Sequence, residues 1–320
     1  MNWGIIGCGD VTEVKSGPAF QKVPGSKLVS VMRRNAERAE SYAQRHGVDR
    51  WTTDANEILE SEDIDAVYIA THPNTHAEYT IRAVEAGKAV YVEKPMAVNP
   101  DECREMIAAC AAAGLPLWTA YYRRALPRFE RMRTLIAEGA IGEVRAVNTI
   151  RFQGHREGSW QSQLGLSGGG WFFDSACHTL DWLDYLLGPL EDVQGSATSR
   201  GEGTNEDTVV ASYRFPGGVL GSGTWCYDSQ FDDDQTTIVG VEGSLVFSFS
   251  APKPVELRRG TEVELIEVND PETVHQPLVQ SIVHEWNGSG RCPSTGETAL
   301  RTAEVLKTLL SDVRPAVYVH

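Results

Sequence analysis

The chain lacks the cysteine pattern of a disulfide-stabilised or zinc-binding protein. Its six cysteines are scattered and none belongs to a Cys-x-x-Cys pair, so we expect reduced thiols in a cytoplasmic protein. The opening residues enter a predicted strand at once and lack the basic segment, apolar stretch and cleavage site of a signal peptide. No apolar run is long enough to span a bilayer, so we expect no membrane partner.

Basic residues are also in short supply. The sequence has 29 Lys and Arg against 44 Asp and Glu, a formal net charge of -15. A surface this acidic repels phosphates, which argues against a nucleic-acid partner. The arginines at the pair Arg33-Arg34 and in residues 123–133 therefore stand out as local features. With 320 residues, of which 41% are hydrophobic, the chain is predicted to form two globular domains.

The predicted N-terminal domain covers residues 1–120, where short apolar runs alternate with helical patterns. Strands are predicted at residues 3–7, 27–32, 65–70, 89–93 and 116–119, and helices at residues 36–46, 54–61, 75–86 and 100–113. Repeated strand–helix–strand order with nearly continuous apolar strands is typical of a parallel sheet covered on both faces. The fold class is therefore α/β, with a doubly wound nucleotide-binding domain.

The pattern changes in residues 121–320, which are predicted to form an α+β domain. After a helix at 126–138, strands are predicted at residues 144–152, 192–198, 208–215, 218–227, 235–240 and 244–250. Consecutive strands without intervening helices indicate an antiparallel sheet. One helix at 170–187 is inserted early, and two helices at 275–287 and 294–310 close the domain.

A glycine-rich turn follows the first strand. Gly7-x-Gly9 lies between a strand and a helix, where glycines let backbone amides approach a pyrophosphate. The third glycine position of the motif holds Thr12, so the match is incomplete. The predicted dinucleotide contacts are Gly7, Gly9, Asp10, Val11 and Thr12; the alternative is an ordinary strand-to-helix turn.

The next strand ends in a basic cluster. Arg33 stands where a cofactor without a 2′-phosphate usually meets an acidic residue, with Arg34 beside it and Arg38 one turn into the following helix. Guanidinium groups suit a phosphate by charge and by forked hydrogen bonding. We therefore expect NADP(H) rather than NAD(H) as the cofactor; the alternative is a solvated, basic start of a helix.

Residues 71–76 follow the strand at 65–70. The carboxyl end of a parallel strand faces the cofactor crevice, which makes Thr71, His72, Asn74 and His76 candidate cofactor contacts. Helix capping explains Asn74 and His76 equally well.

Glu93-Lys94-Pro95 ends the strand at 89–93. Pro95 fixes the backbone after Lys94, and the sequence leaves its cis or trans isomer open. A partly desolvated ammonium at this position can hold a substrate hydroxyl or carbonyl oxygen, so Lys94 is a candidate catalytic residue. Glu93 is grouped with the predicted cofactor contacts. The alternative is a strand-end lysine in solvent.

The second catalytic candidates follow the run Gly168-Gly169-Gly170. Asp174 and His178 are spaced i,i+4, which puts both side chains on one helix face. Histidine is suited to exchange a proton near neutral pH, and Asp174 could orient it or bind a substrate hydroxyl. The alternatives are a structural histidine or a metal pair. A metal site needs a third ligand and Cys177 points elsewhere on a helix, so no metal is predicted.

At the predicted domain junction, Tyr122, Arg123 and Arg124 could supply hydroxyl and guanidinium contacts to a polar substrate. Together, the glycine turn, the Glu-Lys-Pro sequence, this Tyr-Arg-Arg sequence and the segment from 168 to 178 resemble the glucose–fructose oxidoreductase / inositol dehydrogenase / MocA (Gfo/Idh/MocA) family. The resemblance covers nearly the whole chain in the expected order.

The resemblance implies an N-terminal Rossmann domain and a C-terminal domain with an open, mostly antiparallel sheet, through which members form dimers or tetramers. It implies oxidation or reduction of a hydroxyl/carbonyl pair on sugars, inositols or related polyols. By similarity, Lys94 holds the substrate oxygen, His178 is the general acid/base and Asp174 assists. Trp160 resembles a loop tryptophan that covers the cofactor in NADP-dependent members. The chain departs from common family patterns at Thr12, Gln161 and Ala176.

These observations predict an NADP(H)-dependent oxidoreductase that acts on a sugar, a polyol or a related carbonyl compound. Two other functions stay open. One is a cofactor-binding regulator without catalysis, against which Lys94, Asp174 and His178 argue. The other is a glycosidase that uses a tightly held NAD, a known activity of this family, against which Arg33 argues.

Overall fold

The computed structural model describes residues 1–154, 160–199 and 205–313, and these divide into two compact units. The first unit consists of Met1–Leu126 and Pro271–Leu300. The second consists of Pro127–Asp270 and the described residues from Arg301 onward. The sequence predicts a single boundary near residue 120, whereas in the structure the chain returns to the first unit.

The first unit is built on a parallel sheet of six strands in the described residues. The strands are β1 (Asn2–Ile6), β2 (Lys27–Met32), β3 (Arg50–Thr52), β4 (Ala66–Ile69), β5 (Ala89–Val92) and β6 (Leu117–Thr119). Their order is β3-β2-β1-β4-β5-β6 and every neighbouring pair is parallel. This is the order of a dinucleotide-binding Rossmann sheet, which confirms the predicted fold class. Only the short β3 lacked a predicted range.

Helices connect these strands. They are α1 (Asp10–Val14), α2 (Ala19–Lys22), α3 (Ala36–His46), α4 (Ala55–Leu59), α5 (His76–Glu85) and α6 (Pro100–Ala113). Local signals fix the long helices: Asn35 and Asn99 accept hydrogen bonds from backbone amides in the first turns of α3 and α6. Gly47 and Gly114 end the same helices in the left-handed conformation.

The second unit contains α7 (Pro127–Ala137), α8 (Leu164–Ser167) and α9 (Trp171–Leu187) beside a sheet of eight described strands. The strands are β7 (Val144–Gly154), β8 (Glu191–Thr198), β9 (Thr208–Arg214), β10 (Leu220–Ser229), β11 (Asp233–Gly240), β12 (Ser244–Phe247), β13 (Val255–Arg259) and β14 (Glu262–Ile266). Their order is β14-β13-β12-β11-β7-β10-β9-β8. The sheet is mostly antiparallel, as predicted, except that β7 and β10 run parallel.

Two strands of this sheet were not predicted. β13 and β14 form a hairpin across Gly260, which has a φ of 57°. Their sequences are rich in Glu and Arg, and β14 is largely exposed. One of the two strands lacks a buried face, so the sequence has no alternating apolar pattern strong enough to predict this hairpin.

Aromatic packing holds α9 in the second unit. The Trp182 ring lies 5.1 Å from Phe129 of α7, 5.5 Å from Phe247 at the end of β12 and 5.7 Å from Phe249, between ring centroids. Large buried aromatic contacts of this kind dominate core packing. They fix the helix that carries Asp174 and His178.

The chain then returns to the first unit through α10 (Gln276–Trp286) and the beginning of α11 (Gly296–Leu310). Leu278, Val279 and Ile282 of α10 are completely buried in the same apolar cluster as Trp3 and Phe20. This apolar packing explains why residues 271–300 belong to the first unit and not to the predicted C-terminal domain. No helix among the described residues is both long and apolar enough to cross a membrane.

Candidate active site

The glycine turn of the first unit has two glycines with different constraints. Gly7 has a φ of 94°, and a Cβ there would lie 2.8 Å from Thr71 Cγ2 and 3.0 Å from the Ala70 backbone. Gly9 has ordinary extended geometry, and a Cβ there would meet only Gly7 O, at 3.8 Å. Gly7 is therefore needed for the backbone of the turn, whereas the missing side chain of Gly9 leaves open space beside the turn. That space suits the close approach of a pyrophosphate.

The residues after Gly9 differ in exposure. Asp10 is exposed and Val11 is half-buried. Thr12, at the third glycine position, is completely buried, and its hydroxyl donates to Gly9 O at 2.7 Å. Its side chain thus closes the first turn of α1, and any cofactor contact would come from its backbone.

The basic cluster lies beside this turn. Arg33 is half-buried, and its Nη1 donates to Cys8 O at 3.0 Å, between the two glycines. Arg34 and Arg38 are exposed. A single hydrogen bond leaves most of the five N–H donors of the Arg33 guanidinium for other partners. The structure thus brings Arg33 and the glycine turn together.

The segment after β4 contributes both open and closed residues. Thr71 and His72 are half-buried, and Asn74 is exposed. Burial and the nearby charge of Arg34 lower the pKa of His72, so the imidazole is neutral at physiological pH. The Thr75 hydroxyl, and not Asn74, bonds within this turn, to Thr71 Oγ1 at 2.8 Å.

His76 lies in the interior of the first unit. It is completely buried, and its ring nitrogens lie 3.1–3.2 Å from the backbone oxygens of Thr71, Pro95 and Met96. Burial lowers the pKa of His76 to about 4. Its contacts connect the turn after β4 to the backbone that follows Lys94, which is a structural role and leaves no ring nitrogen for a cofactor.

Lys94 follows β5, at the same carboxyl edge of the sheet as the glycine turn, and it is partly exposed. The Lys94–Pro95 peptide is cis. Glu93 is only 6% exposed, and its carboxylate accepts hydrogen bonds from the Tyr68 hydroxyl and from the Lys94 backbone amide. The Glu93 side chain is therefore directed into the unit, while its role as a cofactor contact stays a prediction.

The predicted substrate contacts after β6 separate into two groups. Tyr122 and Arg123 are half-buried, and the Arg123 guanidinium lies 5.1 Å from the centre of the Tyr122 ring. Arg124 is 2% exposed, and its Nη1 donates to Pro293 O at 3.0 Å. Arg124 thus connects this segment to the returning chain, so its observed contact is structural.

In the second unit, the glycine run permits a tight entry into α9. A Cβ on Gly169 would lie 2.1 Å from Phe173 Cβ, and one on Gly170 would lie 2.5 Å from Asn205 Cβ. The buried carboxylate of Glu206 accepts hydrogen bonds from the Gly170 and Phe173 amides, both at 3.1 Å. Glu206 therefore caps α9 with a negative charge, which favours a helix N-terminus.

Asp174 and His178 lie one turn apart on α9, as their spacing predicted. Asp174 is half-buried and accepts a hydrogen bond from Gln161 Nε2 at 3.3 Å, and His178 is 8% exposed. Trp160 and Gln161 belong to the same short 3-10 turn, at residues 160–162. Gln161 thus connects the turn that contains Trp160 to a proposed catalytic carboxylate. Among the described residues, no cluster of His, Cys, Asp and Glu is suited to a metal ion.

Sequence reasoning missed Glu206, the Gln161 contact and His275. Glu206 is distant in sequence from the helix that it caps, and residues 200–204 before it lie outside the described residues. His275 precedes α10, and its Nδ1 forms a hydrogen bond with the Tyr91 hydroxyl at 2.9 Å. A partner 184 residues away gives no local sequence signal.

Comparison with known proteins adds to this geometry. Residues 1–121 match the family model described as an oxidoreductase family with an NAD-binding Rossmann fold, and residues 129–246 match the GFO/IDH/MocA C-terminal domain. The chain belongs to the Gfo/Idh/MocA oxidoreductase family. Both halves match in the order that the sequence motifs predicted.

Two relatives and one solved structure are similar to this chain over nearly its whole length. Oxidoreductase P35 of Formosa agariphila is 35% identical, over 96% of this chain and 97% of the relative. The 1,5-anhydro-D-fructose reductase of Ensifer adhaerens is 31% identical, over 92% and 91%. The structure of levoglucosan dehydrogenase with NADH and levoglucosan superposes with a TM-score of 0.86 at 22% identity, over 98% and 97%. At that identity, the likeness to levoglucosan dehydrogenase shows the fold alone.

Proposed function

We propose that this Gfo/Idh/MocA protein is an NADP(H)-dependent oxidoreductase that acts on a hydroxyl/carbonyl pair of a sugar, a polyol or a related compound. The contact that carries the cofactor preference is the one between Arg33 and the glycine turn. Arg33 stands at the end of β2 and donates to Cys8 O, so a cofactor seated on the turn would meet a guanidinium. A 2′-phosphate matches that group by charge and geometry.

Each proposed residue has one task. Gly7 and Gly9 shape the turn for the pyrophosphate, and Arg33, with Arg34 and Arg38, binds the 2′-phosphate. When bound, the nicotinamide supplies or accepts the hydride. Asp10, Val11, Thr12, Thr71, His72, Asn74 and Trp160 are the remaining proposed cofactor contacts.

For the reducing direction, we propose that the Lys94 ammonium donates a hydrogen bond to the substrate carbonyl oxygen and stabilises the negative charge that develops there. His178 supplies a proton to that oxygen, and Asp174 orients His178 or a substrate hydroxyl. Tyr122 and Arg123 contribute polar contacts to the substrate. The name of the anhydrofructose reductase relative supports a carbohydrate-like substrate.

The second sheet supports the association that the family implies. The strand registers place Val210, Leu220, Val239, Val263 and Leu265 on one face of this sheet, and each is at least 40% exposed. These apolar side chains alternate with polar partners such as Arg214 and Arg258, and a sheet face that exposes several large apolar side chains is a candidate protein interface. We propose a homodimer or homotetramer through this face. The test is the mass of the Leu265→Lys variant in light scattering, which should show dissociation of the oligomer.

The cofactor proposal is tested by titration of nicotinamide fluorescence with NADPH and NADH. We expect tighter binding of NADPH, and we expect Arg33→Ser to weaken NADPH by about tenfold, as for loss of a charge-assisted contact, with little change for NADH. Arg104→Ser is the matched control, since Arg104 is an exposed arginine on α6 whose pairing with Asp101 contributes little. An NADH preference in the unmodified protein would contradict the proposed role of Arg33 and revive the NAD-dependent glycosidase.

The catalytic proposal is tested with a panel of sugars and anhydrosugars, including 1,5-anhydro-D-fructose. We expect Lys94→Ala and His178→Ala each to lower kcat by about 10²- to 10⁴-fold, as for loss of a group that donates a hydrogen bond or a proton to the reacting oxygen. Both variants should bind the cofactor like the unmodified protein. Normal turnover in both variants would exclude these roles, and cofactor binding without any turnover would favour a regulator.

A further inference from the structure

A buried polar network lies behind Lys94, and the proposed mechanism does not use it. Tyr68, Tyr91 and His275 are completely buried, and Glu93 is 6% exposed. One Glu93 oxygen accepts from the Tyr68 hydroxyl, and the other accepts from the Lys94 backbone amide at 3.2 Å. The carboxylate is thus tied to the strand end from which Lys94 projects.

His275 approaches this carboxylate from the returning chain. Burial, with the nearby charge of Glu93, raises the pKa of Tyr91 well above its ordinary value, and the Tyr91 hydroxyl forms a hydrogen bond with His275 Nδ1 at 2.9 Å. In the tautomer in which the Tyr91 hydroxyl donates to Nδ1, the neutral imidazole carries its proton on Nε2. Nε2 lies 3.7 Å from Glu93 Oε1, which is too long for a hydrogen bond but close enough for an electrostatic contact.

The charged and titratable groups around this network bear on the buried Glu93 carboxylate. Burial, together with the cations of Lys15, Lys94 and Arg123, lowers the pKa of His275 to about 3. His275 is therefore neutral and does not balance Glu93. The negative charge of Glu93 also contributes to the raised pKa of Tyr68, which keeps that hydroxyl protonated as a donor. An ionised carboxylate at this depth is costly unless neighbouring donors and cations compensate it.

We propose that Glu93, held by Tyr68 and backed by His275, is a positioning residue for Lys94. It fixes the end of β5 through the Lys94 amide, and its negative charge favours the ammonium form of Lys94 against burial. This inference rests on the proposed role of Lys94, which needs the ammonium to hold the substrate oxygen. It gives Glu93 a task other than the cofactor contact that the sequence suggested.

The first test measures the pKa of Lys94 without any substrate. Competitive labelling of lysines with acetic anhydride across a pH series, read by mass spectrometry, reports the titration of each ammonium. Loss of a neighbouring opposite charge disfavours the ammonium, so Glu93→Gln should lower the pKa of Lys94 by about one unit. Lys27, which is exposed in the same unit, is the internal control and should not change. An unchanged Lys94 pKa in the folded variant would overturn the proposal.

The second test asks whether Glu93 acts through Lys94. Glu93→Gln should lower kcat by about tenfold, with an unchanged dissociation constant for NADPH, and should have no further effect in the Lys94→Ala background. Weaker NADPH binding with additive losses of rate would overturn the proposal and make Glu93 a cofactor contact. Full turnover of the Lys94→Ala variant would instead refute the catalytic role of Lys94 in the proposed function. The labelling experiment would still show whether Glu93 affects the pKa of Lys94.

A milder variant covers a failure of Glu93→Gln to fold. Tyr68→Phe removes only the hydroxyl, which donates to Glu93 and also contacts Ser16 Oγ, and we expect a lower kcat with unchanged NADPH binding. Tyr213→Phe makes the same change at a buried tyrosine of the second unit and is the matched control. Equal kcat values for these two variants would refute the role of the network.

Discussion

Removal of the Glu206 carboxylate should destabilise the helix that carries Asp174 and His178. Glu206 is 3% exposed, and one of its oxygens accepts from two backbone amides at the start of α9, each at 3.1 Å. Glu206→Ala leaves both amides without this acceptor. A cap contributes about 1 kcal/mol and a hydrogen bond to a charged group about 1.5–3 kcal/mol. Because these terms overlap, we expect a loss of about 3 kcal/mol in the free energy of unfolding.

Two further variants separate the causes. Glu206→Gln keeps an oxygen acceptor but loses the charge that favours the helix N-terminus, so we expect a loss of about 1 kcal/mol. Glu297→Ala is the control, because Glu297 is an exposed acidic residue in the first turn of α11. It should cost less than about 0.5 kcal/mol.

The assay combines urea unfolding with hydrogen exchange of the peptide that spans α9. The midpoint should fall in the order Glu297→Ala, Glu206→Gln, Glu206→Ala, and exchange should accelerate first at the start of α9. Equal stability of Glu206→Ala and Glu297→Ala, or an unchanged exchange rate of α9, would refute the capping role of Glu206.

Two other predictions concern the first unit. Gly7→Ala should lower the free energy of unfolding by about 1–3 kcal/mol, because a side chain at Gly7 is strained by the positive φ and meets Thr71. Gly9→Ala should unfold normally in urea but bind NADPH at least about tenfold more weakly. Equal stability of the two variants would contradict this expectation. His76 has a folded pKa of about 4, below its ordinary value of 6.5, so its contribution is complete above pH 6.5 and is lost as the pH falls. Between pH 7 and pH 5, His76 should lower the free energy of unfolding of the unmodified protein by about 2 kcal/mol. The measurement is urea unfolding at both pH values, and an equal loss in the His76→Gln variant would show that another group is responsible.

The sequence predicted those features that depend on local pattern. Apolar runs bounded by turn residues indicated nearly all strands of the first sheet, and the i,i+4 spacing placed Asp174 and His178 on one helix. The family motifs depend on the same local features, since a turn at Gly7 or a strand end at Lys94 is visible within a few residues.

Features that depend on distant contacts were not predictable in this way. The segment at 271–300 reads as an ordinary pair of helices, and only the burial of Leu278 and Ile282 shows which unit they complete. Arg124 and His76 read as polar residues at a crevice, yet each contacts a backbone oxygen that another segment supplies. Sequence pattern gives residue type and periodicity, whereas the direction of a polar side chain depends on which acceptors the fold brings near.

The return of the chain into the first unit has a consequence for how this protein can be made or divided. During synthesis the six-stranded sheet is complete in sequence once β6 has emerged, yet Trp3 and Phe20 still lack the apolar partners that α10 supplies. A nascent or truncated chain that stops before α10 would therefore expose part of this core to solvent. A portable cofactor-binding module cut from this protein would have to carry residues 271–300 joined to residues 1–126, since the first stretch alone is an unfinished core.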